Sequence, residues 1–203
     1  KPASVAQRNL GISGLTPNAA DLVIGTLAGL RAVKNLPRLV RAVAPLGEHV
    51  RLVIVGEGPE RDAIQREAQQ LGMGDRVLLP GFLGRPQSYL GHFDIFALSS
   101  DSEQFPISLI EAMAAGLAVA ATDVGDVRII VSEANRPFVV KPGNEADLSG
   151  ALRRLCGDPA LRRTLGESNR ALARSAYDES SMIRAYAMLY EAEIRRPATL
   201  FPR

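Results

Sequence analysis

The chain is poor in the residues that build covalent or metal-bound frameworks. It has one cysteine, Cys156, no tryptophan, and only two histidines, His49 and His92, among 203 residues. A single cysteine excludes an internal disulfide, which fits a reducing compartment. These three residues are widely separated and leave no zinc-ligand spacing, so no metal site is expected. No apolar run is long enough to span a bilayer, and no stretch reads as a signal peptide. The formal charge of +2 gives no argument for a nucleic-acid partner. The first residue is Lys1 rather than methionine, so a piece of a longer protein is expected.

What is present is ordinary globular protein, 46% hydrophobic and 23% charged. The length suits one large α/β domain. From Asp21 onward, strand-like and helix-like runs alternate. The expected strands are Leu22–Leu27, Arg51–Val55, Arg76–Leu79, Asp94–Leu98, Ala118–Thr122 and Phe138–Val140. Several are short continuous apolar runs, the pattern of parallel strands covered on both faces. Between them Leu36, Leu39, Val40 and Val43 fall at helical spacing, as do Ile64, Ala68 and Leu71, and then Ile107, Ile110, Ala114 and Leu117. This alternation predicts a doubly wound parallel sheet built of βαβ units.

After Glu145 the pattern is helical to about Ile194, with three helices expected. Asp147 is placed to begin the first, Asp158-Pro159 the second, and Asp178 or Ser180 the third. The expected organisation is a linker with one short helix over 1–20, a Rossmann-like α/β domain over 21–194, and a tail over 195–203. The arginines of the last helices alternate with acidic residues and read as a solvated face.

In an open parallel sheet, ligands bind beyond the carboxyl ends of the strands. Five loops on that edge carry special residues: Gly29, Arg31 and Lys34; Gly56-Glu57-Gly58-Pro59; Pro80-Gly81-Phe82; Ser99 to Glu103; and Asp123 to Asp126. The glycines allow tight turns, and for Gly56 and Gly58 that role outweighs ligand contact.

The fourth loop is the most specific. Pro106 suits the first position of a helix. The N–H groups of Ile107, Ser108 and Leu109 would then leave the helix start free to bind an anion, aided by the helix dipole. Glu111 lies about 8 Å further along the axis, where a carboxylate accepts from ribose hydroxyls. Glu103, on the loop, is placed to accept from sugar hydroxyls, and Lys34 is the best cation for phosphate.

Ser99 to Gly116 resembles the donor-binding signature of retaining glycosyltransferases of the GT-B fold, family 4 (glycosyl transferases group 1). The matching features are Glu103 and Glu111 separated by seven residues, Phe105-Pro106 after the first, and Glu-Ala-Met-Ala-Ala-Gly from the second. Val55-Gly56-Glu57-Gly58-Pro59, Pro80-Gly81-Phe82 and the Ala-Thr-Asp-Val-Gly run extend the resemblance over Asp21 to Tyr190. It implies a Rossmann-like half of a GT-B fold with a helical C-terminal extension. Glu111 would hold the ribose of a nucleotide-diphosphate sugar and Glu103 the sugar. Gln104, Phe105, Pro106, Ile107, Ser108 and Leu109 would meet sugar and phosphates, and Lys34 would neutralise the diphosphate. Gly81 and Phe82 would lie by the base. Glu103 and Lys34 are the residues assigned to catalysis. The resemblance implies no metal and no cofactor.

Four positions depart from the pattern, two of them mildly: Asp126 stands where a second glycine is common and Ala118 where a proline is common. Gly29 stands where an arginine is usual, so either Arg31 substitutes for it or diphosphate binding is weaker. Gln104 replaces a glycine after the first glutamate. The acceptor domain that normally comes first in the family is not found in this sequence, so a donor-binding C-terminal domain, inactive or nearly so alone, is expected. Membrane contact would come only through that missing domain, in a cytoplasmic protein at the inner face of a membrane. Two alternatives stay open: a nucleotide-sugar epimerase of related fold and a non-catalytic nucleotide-binding module. A dinucleotide-dependent oxidoreductase is disfavoured, because Gly25-Thr26-Leu27-Ala28-Gly29 lacks the required glycine spacing.

Overall fold

The computed structural model describes residues 21–194. The expected linker with its short helix, and the expected tail, lie outside the described residues. Six strands form one parallel sheet: β1 (Leu22–Leu27), β2 (Val50–Val55), β3 (Val77–Gly81), β4 (Ile95–Leu98), β5 (Ala118–Thr122) and β6 (Val139–Val140). Their order is β3-β2-β1-β4-β5-β6. The winding reverses between β1 and β4, which makes a crevice at their carboxyl ends. The helices are α1 (Leu36–Val43), α2 (Arg61–Gln70), α3 (Ile107–Ala115), α4 (Val127–Ile130), α5 (Glu145–Gly157), α6 (Pro159–Ala176) and α7 (Glu179–Ile194).

The strands separate two cores, as alternating side chains require. Leu22 and Ile24 of β1 pack with α1, α2 and α5, whereas Val23 and Leu27 join α3 and α4 on the other face. Phe93 lies directly on β1: a β-carbon at Gly25 would sit 2.1 Å from its ring. This strand position therefore needs glycine.

Both edge strands are closed by arginines. Arg61 donates to the Leu79 carbonyl at 2.8 Å on β3, and Arg128 to the Val139 carbonyl at 2.6 Å on β6. Charged caps of this kind block further strand pairing. Pro80 occurs within edge strand β3, beside a register shift against β2, where a missing N–H is tolerated.

Helix α6 is tied to β5 through buried amides. The Asn135 side chain accepts from Val119 N–H at 3.0 Å and donates to its carbonyl at 2.8 Å, acting as a neighbouring strand would. Asn169 on α6 donates to both Asn135 and the Leu117 carbonyl and accepts from Ser132. Every member is satisfied, which is what permits such a network in a core.

Three sequence expectations need correction. Asn144, not Asp147, caps α5: its side chain accepts from the Asp147 N–H. The buried face of α3 is Leu109, Ala112 and Met113. Ile107 is 60% exposed, Ala114 is exposed, and Leu117 lies beyond the helix. Leu71 ends outside α2 and is 40% exposed. Asp158 with Pro159 does start α6, with Asp158 accepting from Leu161 N–H at 2.9 Å. Asp178 accepts from Ser181 N–H ahead of α7. Helix α7 itself buries nothing. It exposes Met182, Ile183, Tyr186, Leu189, Tyr190 and Ile194.

Candidate functional site

The loops after β1, β2 and β3 continue the sheet beyond its strands. Ala28 N–H donates to Val55, Leu30 N–H to Glu57, and Gly56 N–H to Gly81, at 2.9–3.0 Å. This contact needs glycine at position 56: its φ is 142°, and a β-carbon there would lie 1.9 Å from the Ala28 carbonyl. Turn and packing chemistry thus accounts for Gly56, although Gly56 also lines the adjoining cleft.

Lys34 ends a short 3-10 turn, followed by Asn35 in the left-handed region at φ 43°. The loop after β4 straps this turn in place. The Ser99 hydroxyl lies 3.0 Å from the carbonyl oxygens of both Lys34 and Asn35. Asp101 accepts from Asn35 at 3.0 Å and pairs with Arg38 at 2.6 Å. The Lys34 backbone is thereby fixed beside Glu103.

The lysine and the glutamate, read separately from the sequence, meet. Lys34 Nζ lies 2.6 Å from Glu103 Oε1 and 2.8 Å from Oε2, and Ser100 Oγ donates to Oε1 at 2.6 Å. The Glu103 side chain is only 8% exposed. Behind it, Gly125 packs on the same loop: a β-carbon there would lie 2.2 Å from the Glu103 carbonyl. Asp126 N–H donates to the Gln104 carbonyl at 3.0 Å. Phe105 meets Tyr177 edge-to-face, with ring centroids 5.9 Å apart.

Pro106 is the N-cap of α3, with extended backbone, rather than its first helical residue. Leu109 N–H donates to the Pro106 carbonyl at 3.1 Å, and the Leu109 side chain is fully buried. Leu109 is therefore not a free donor. The N–H groups of Ile107 and Ser108 remain at the helix start, ahead of the first intrahelical bond.

Ser108 and Glu111 line one wall of a cleft of about 400 Å³, opposite Ala28, Gly29 and Glu57, with Phe82 and Pro86 completing it. The Glu111 carboxyl is half-buried and has no hydrogen-bond or ion-pair partner among the described residues. Burial pushes its pKa up. Arg31 is exposed, and its Nε lies 3.8 Å from where a β-carbon at Gly29 would stand. Gly81 takes φ 86° at the end of β3, and Phe82 is 76% exposed at the cleft. The structure thus gathers Lys34, Glu103 and the start of α3 around one end of the crevice, and Glu111, Gly29 and Phe82 around the cleft. Ser99, Ser100, Asp101 and Gly125, which the sequence places on the cleft loops without individual roles, and Arg38, which it does not single out, hold this arrangement. Among the described residues no group of three or more His, Cys, Asp or Glu side chains is placed to hold a metal ion. No helix among them is long and apolar enough to cross a membrane.

The family model for glycosyl transferases group 1 matches residues 13–172. The chain belongs to that family. It is 28% identical over 181 residues to the lipopolysaccharide core biosynthesis glycosyltransferase LpsD of Rhizobium meliloti (strain 1021), covering 89% of this chain and 52% of the relative. It is 31% identical over 179 residues to the N-acetylgalactosamine-N,N'-diacetylbacillosaminyl-diphospho-undecaprenol 4-alpha-N-acetylgalactosaminyltransferase of Campylobacter jejuni, covering 87% and 48%. The chain thus spans about half the length of these family members. In fold it is similar to Anabaena HepE, solved in complex with UDP and glucose, with a TM-score of 0.83 at 22% identity over 95% of this chain and 53% of HepE. It is similar also to the C-terminal domain of a group 1 glycosyl transferase (LpcC) from Francisella tularensis, with a TM-score of 0.71 at 23% identity over 78% and 87%. The architecture is the Rossmann-like half of a GT-B fold with a helical C-terminal extension.

Proposed function

We propose that this chain is the C-terminal, donor-binding domain of a retaining family 4 glycosyltransferase. The observation that carries the reading is Glu111: a half-buried carboxyl on a cleft wall with no hydrogen-bond or ion-pair partner among the described residues. A group desolvated in this way gains most from hydroxyl donors brought by a ligand, and a ribose supplies two. The diphosphate lies at the start of α3, on the N–H groups of Ile107 and Ser108, where the helix dipole favours anions. Lys34 has three donors and stands at the same end of the crevice, so one ammonium can join Glu103 to a phosphate oxygen. Arg31 supplies further positive charge beside Gly29. The backbone of Gln104, Phe105 and Pro106 borders the sugar, with Glu103 accepting from its hydroxyls, and Gly81 and Phe82 border the base. UDP and glucose bound to HepE, a protein of the same fold, support a nucleotide-diphosphate sugar as ligand.

In this reading the chain's share of catalysis is positioning and leaving-group stabilisation. As the bond from sugar carbon to phosphate oxygen breaks, negative charge grows on the diphosphate. Lys34 and the α3 N–H groups already face that charge and need no reorganisation. No metal or cofactor has a part. The acceptor, and the groups that act on it, belong to an N-terminal domain outside this chain, so the chain alone is inactive. That domain also makes any membrane contact, in a cytoplasmic protein at the inner face of a membrane. The apolar face of α7 packs against it.

A calorimetric screen of nucleotide-diphosphate sugars tests the reading, repeated with Glu111→Ala and Lys34→Ala. Both substitutions weaken binding. Unchanged affinity in both removes the site.

A further inference from the structure

The cleft beside α3 has an unusual lining. Among the described residues its only charged ones are Glu111 and Glu57, and its remaining walls are mostly apolar: Leu27, Val55, Phe82, Leu83 and Pro86. Among the described residues no cation lines it, so away from Ser108 and the start of α3 it suits a flat, uncharged group that carries N–H or O–H donors rather than a phosphate. Glu111 lies on the α3 wall and meets the sugar ring of a nucleoside. Glu57 lies on another wall, in the loop after β2. Its carboxylate reaches the loop after β3: Oε1 stands 2.6 Å from where a β-carbon at Gly81 would be. The absence of a side chain at Gly81 leaves room for that carboxylate one residue from Phe82. Arg61 holds it from behind, at 3.1 Å from Oε1, and is itself anchored on the Leu79 carbonyl.

We infer that Glu57 selects the nucleobase and that it favours guanine. This rests on the donor-domain reading above. A carboxylate is an acceptor-only group with two oxygens, and it pairs best with two parallel N–H donors. Guanine carries such a pair, the ring N1–H and the adjacent 2-amino group. Hypoxanthine keeps the first and lacks the second. Uracil offers one N–H flanked by two carbonyl oxygens that a carboxylate repels. The adenine amino group adjoins an acceptor nitrogen. Arg61 takes one lone pair of Oε1, so Oε1 keeps a second acceptor position and both oxygens stay open to the two N–H donors of the base. The walls formed by Phe82 and Pro86 supply the apolar faces for a ring.

Calorimetry with GDP, IDP, UDP and ADP tests this on the chain as it stands and on Glu57→Gln. That substitution keeps the size of the side chain and an acceptor for Arg61, and an unchanged thermal midpoint establishes that it folds. The expected order is GDP, then IDP, then UDP and ADP, with GDP at least about 10-fold tighter than UDP. Glu57→Gln weakens GDP about 10-fold and leaves UDP within about 2-fold. UDP binding as tightly as GDP, or Glu57→Gln shifting all four nucleotides alike, overturns the inference while leaving the donor domain intact. If none of the four binds, the donor-domain reading itself fails, and this inference with it.

Discussion

Lys34 and Glu103, 69 residues apart in the chain, form a two-contact ion pair at 2.6 and 2.8 Å across the loops that follow β1 and β4. The carboxylate is nearly buried and the ammonium about one-quarter exposed. The pair therefore has a structural consequence apart from any ligand. Lys34→Ala leaves a desolvated carboxylate with Ser100 as its remaining partner. Urea unfolding should show a loss of about 1–3 kcal/mol, with part of it recovered in Lys34→Ala combined with Glu103→Gln.

Glu111 gives a pH signature. Burial raises its pKa, so the folded state holds the proton longer than the unfolded chain does. Stability attributable to this group falls as pH rises from its ordinary range through the raised value. Above that value the ionised, desolvated carboxylate destabilises the fold. Glu111→Gln should then be more stable than the native chain at pH 7 and bind nucleotide diphosphates more weakly. Thermal melts at pH 4 and pH 7, paired with calorimetry, check both halves.

Two glycines beside the site should respond in opposite ways. Gly125 has φ 53° and lies against the Glu103 and Gln104 carbonyls, so Gly125→Ala must push the Glu103 loop aside. A loss of about 1–3 kcal/mol in unfolding free energy is expected, together with weaker nucleotide binding. At Gly29 a β-carbon meets only ordinary contacts, at 3.8 and 4.0 Å. Gly29→Arg should fold normally and, by adding a fork of donors at the diphosphate, tighten UDP about tenfold.

Cys156 is partly covered at the end of α5, and burial pushes its pKa up to about 11, against an ordinary value of 9.0. The folded state therefore retains the thiol proton that the unfolded chain releases. Stability should decline between roughly pH 9 and 11. At pH 8 the native thiol should react with iodoacetamide far more slowly than the denatured one, as mass spectrometry of timed samples will measure.

The sheet was legible in the sequence because its strands are short apolar runs between glycine-rich loops. Leu22–Leu27 and Ala118–Thr122 coincide with β1 and β5; β2, β4 and β6 differ by one residue at the start, and β3 by one at the start and two at the end. The α3 face was misread because the helix is apolar nearly all round: Ile107, Ile110 and Ala114 have the same spacing as the residues that are buried. Its tertiary neighbours, α6 and the turn over Pro86–His92, decide which side faces inward. Glu103, Glu111 and Lys34 stood out as residues, but the joining of Lys34 to Glu103 depends on β1 and β4 being neighbours at the winding reversal, a fact of topology. Ser100, Asp101 and Gly125 act through contacts with other loops, and Asn135 through a borrowed strand position. None of these carries a local pattern.

The central claim is that the diphosphate of an activated sugar rests on the start of α3. Amide NMR of the chain titrated with UDP and with GDP measures it directly. The account predicts that the N–H signals of Ile107 and Ser108 shift downfield on saturation, that Leu109, already bonded to Pro106, shifts less, and that Lys34→Ala reduces the response. Saturable binding that leaves Ile107 and Ser108 unmoved while residues elsewhere respond would contradict it.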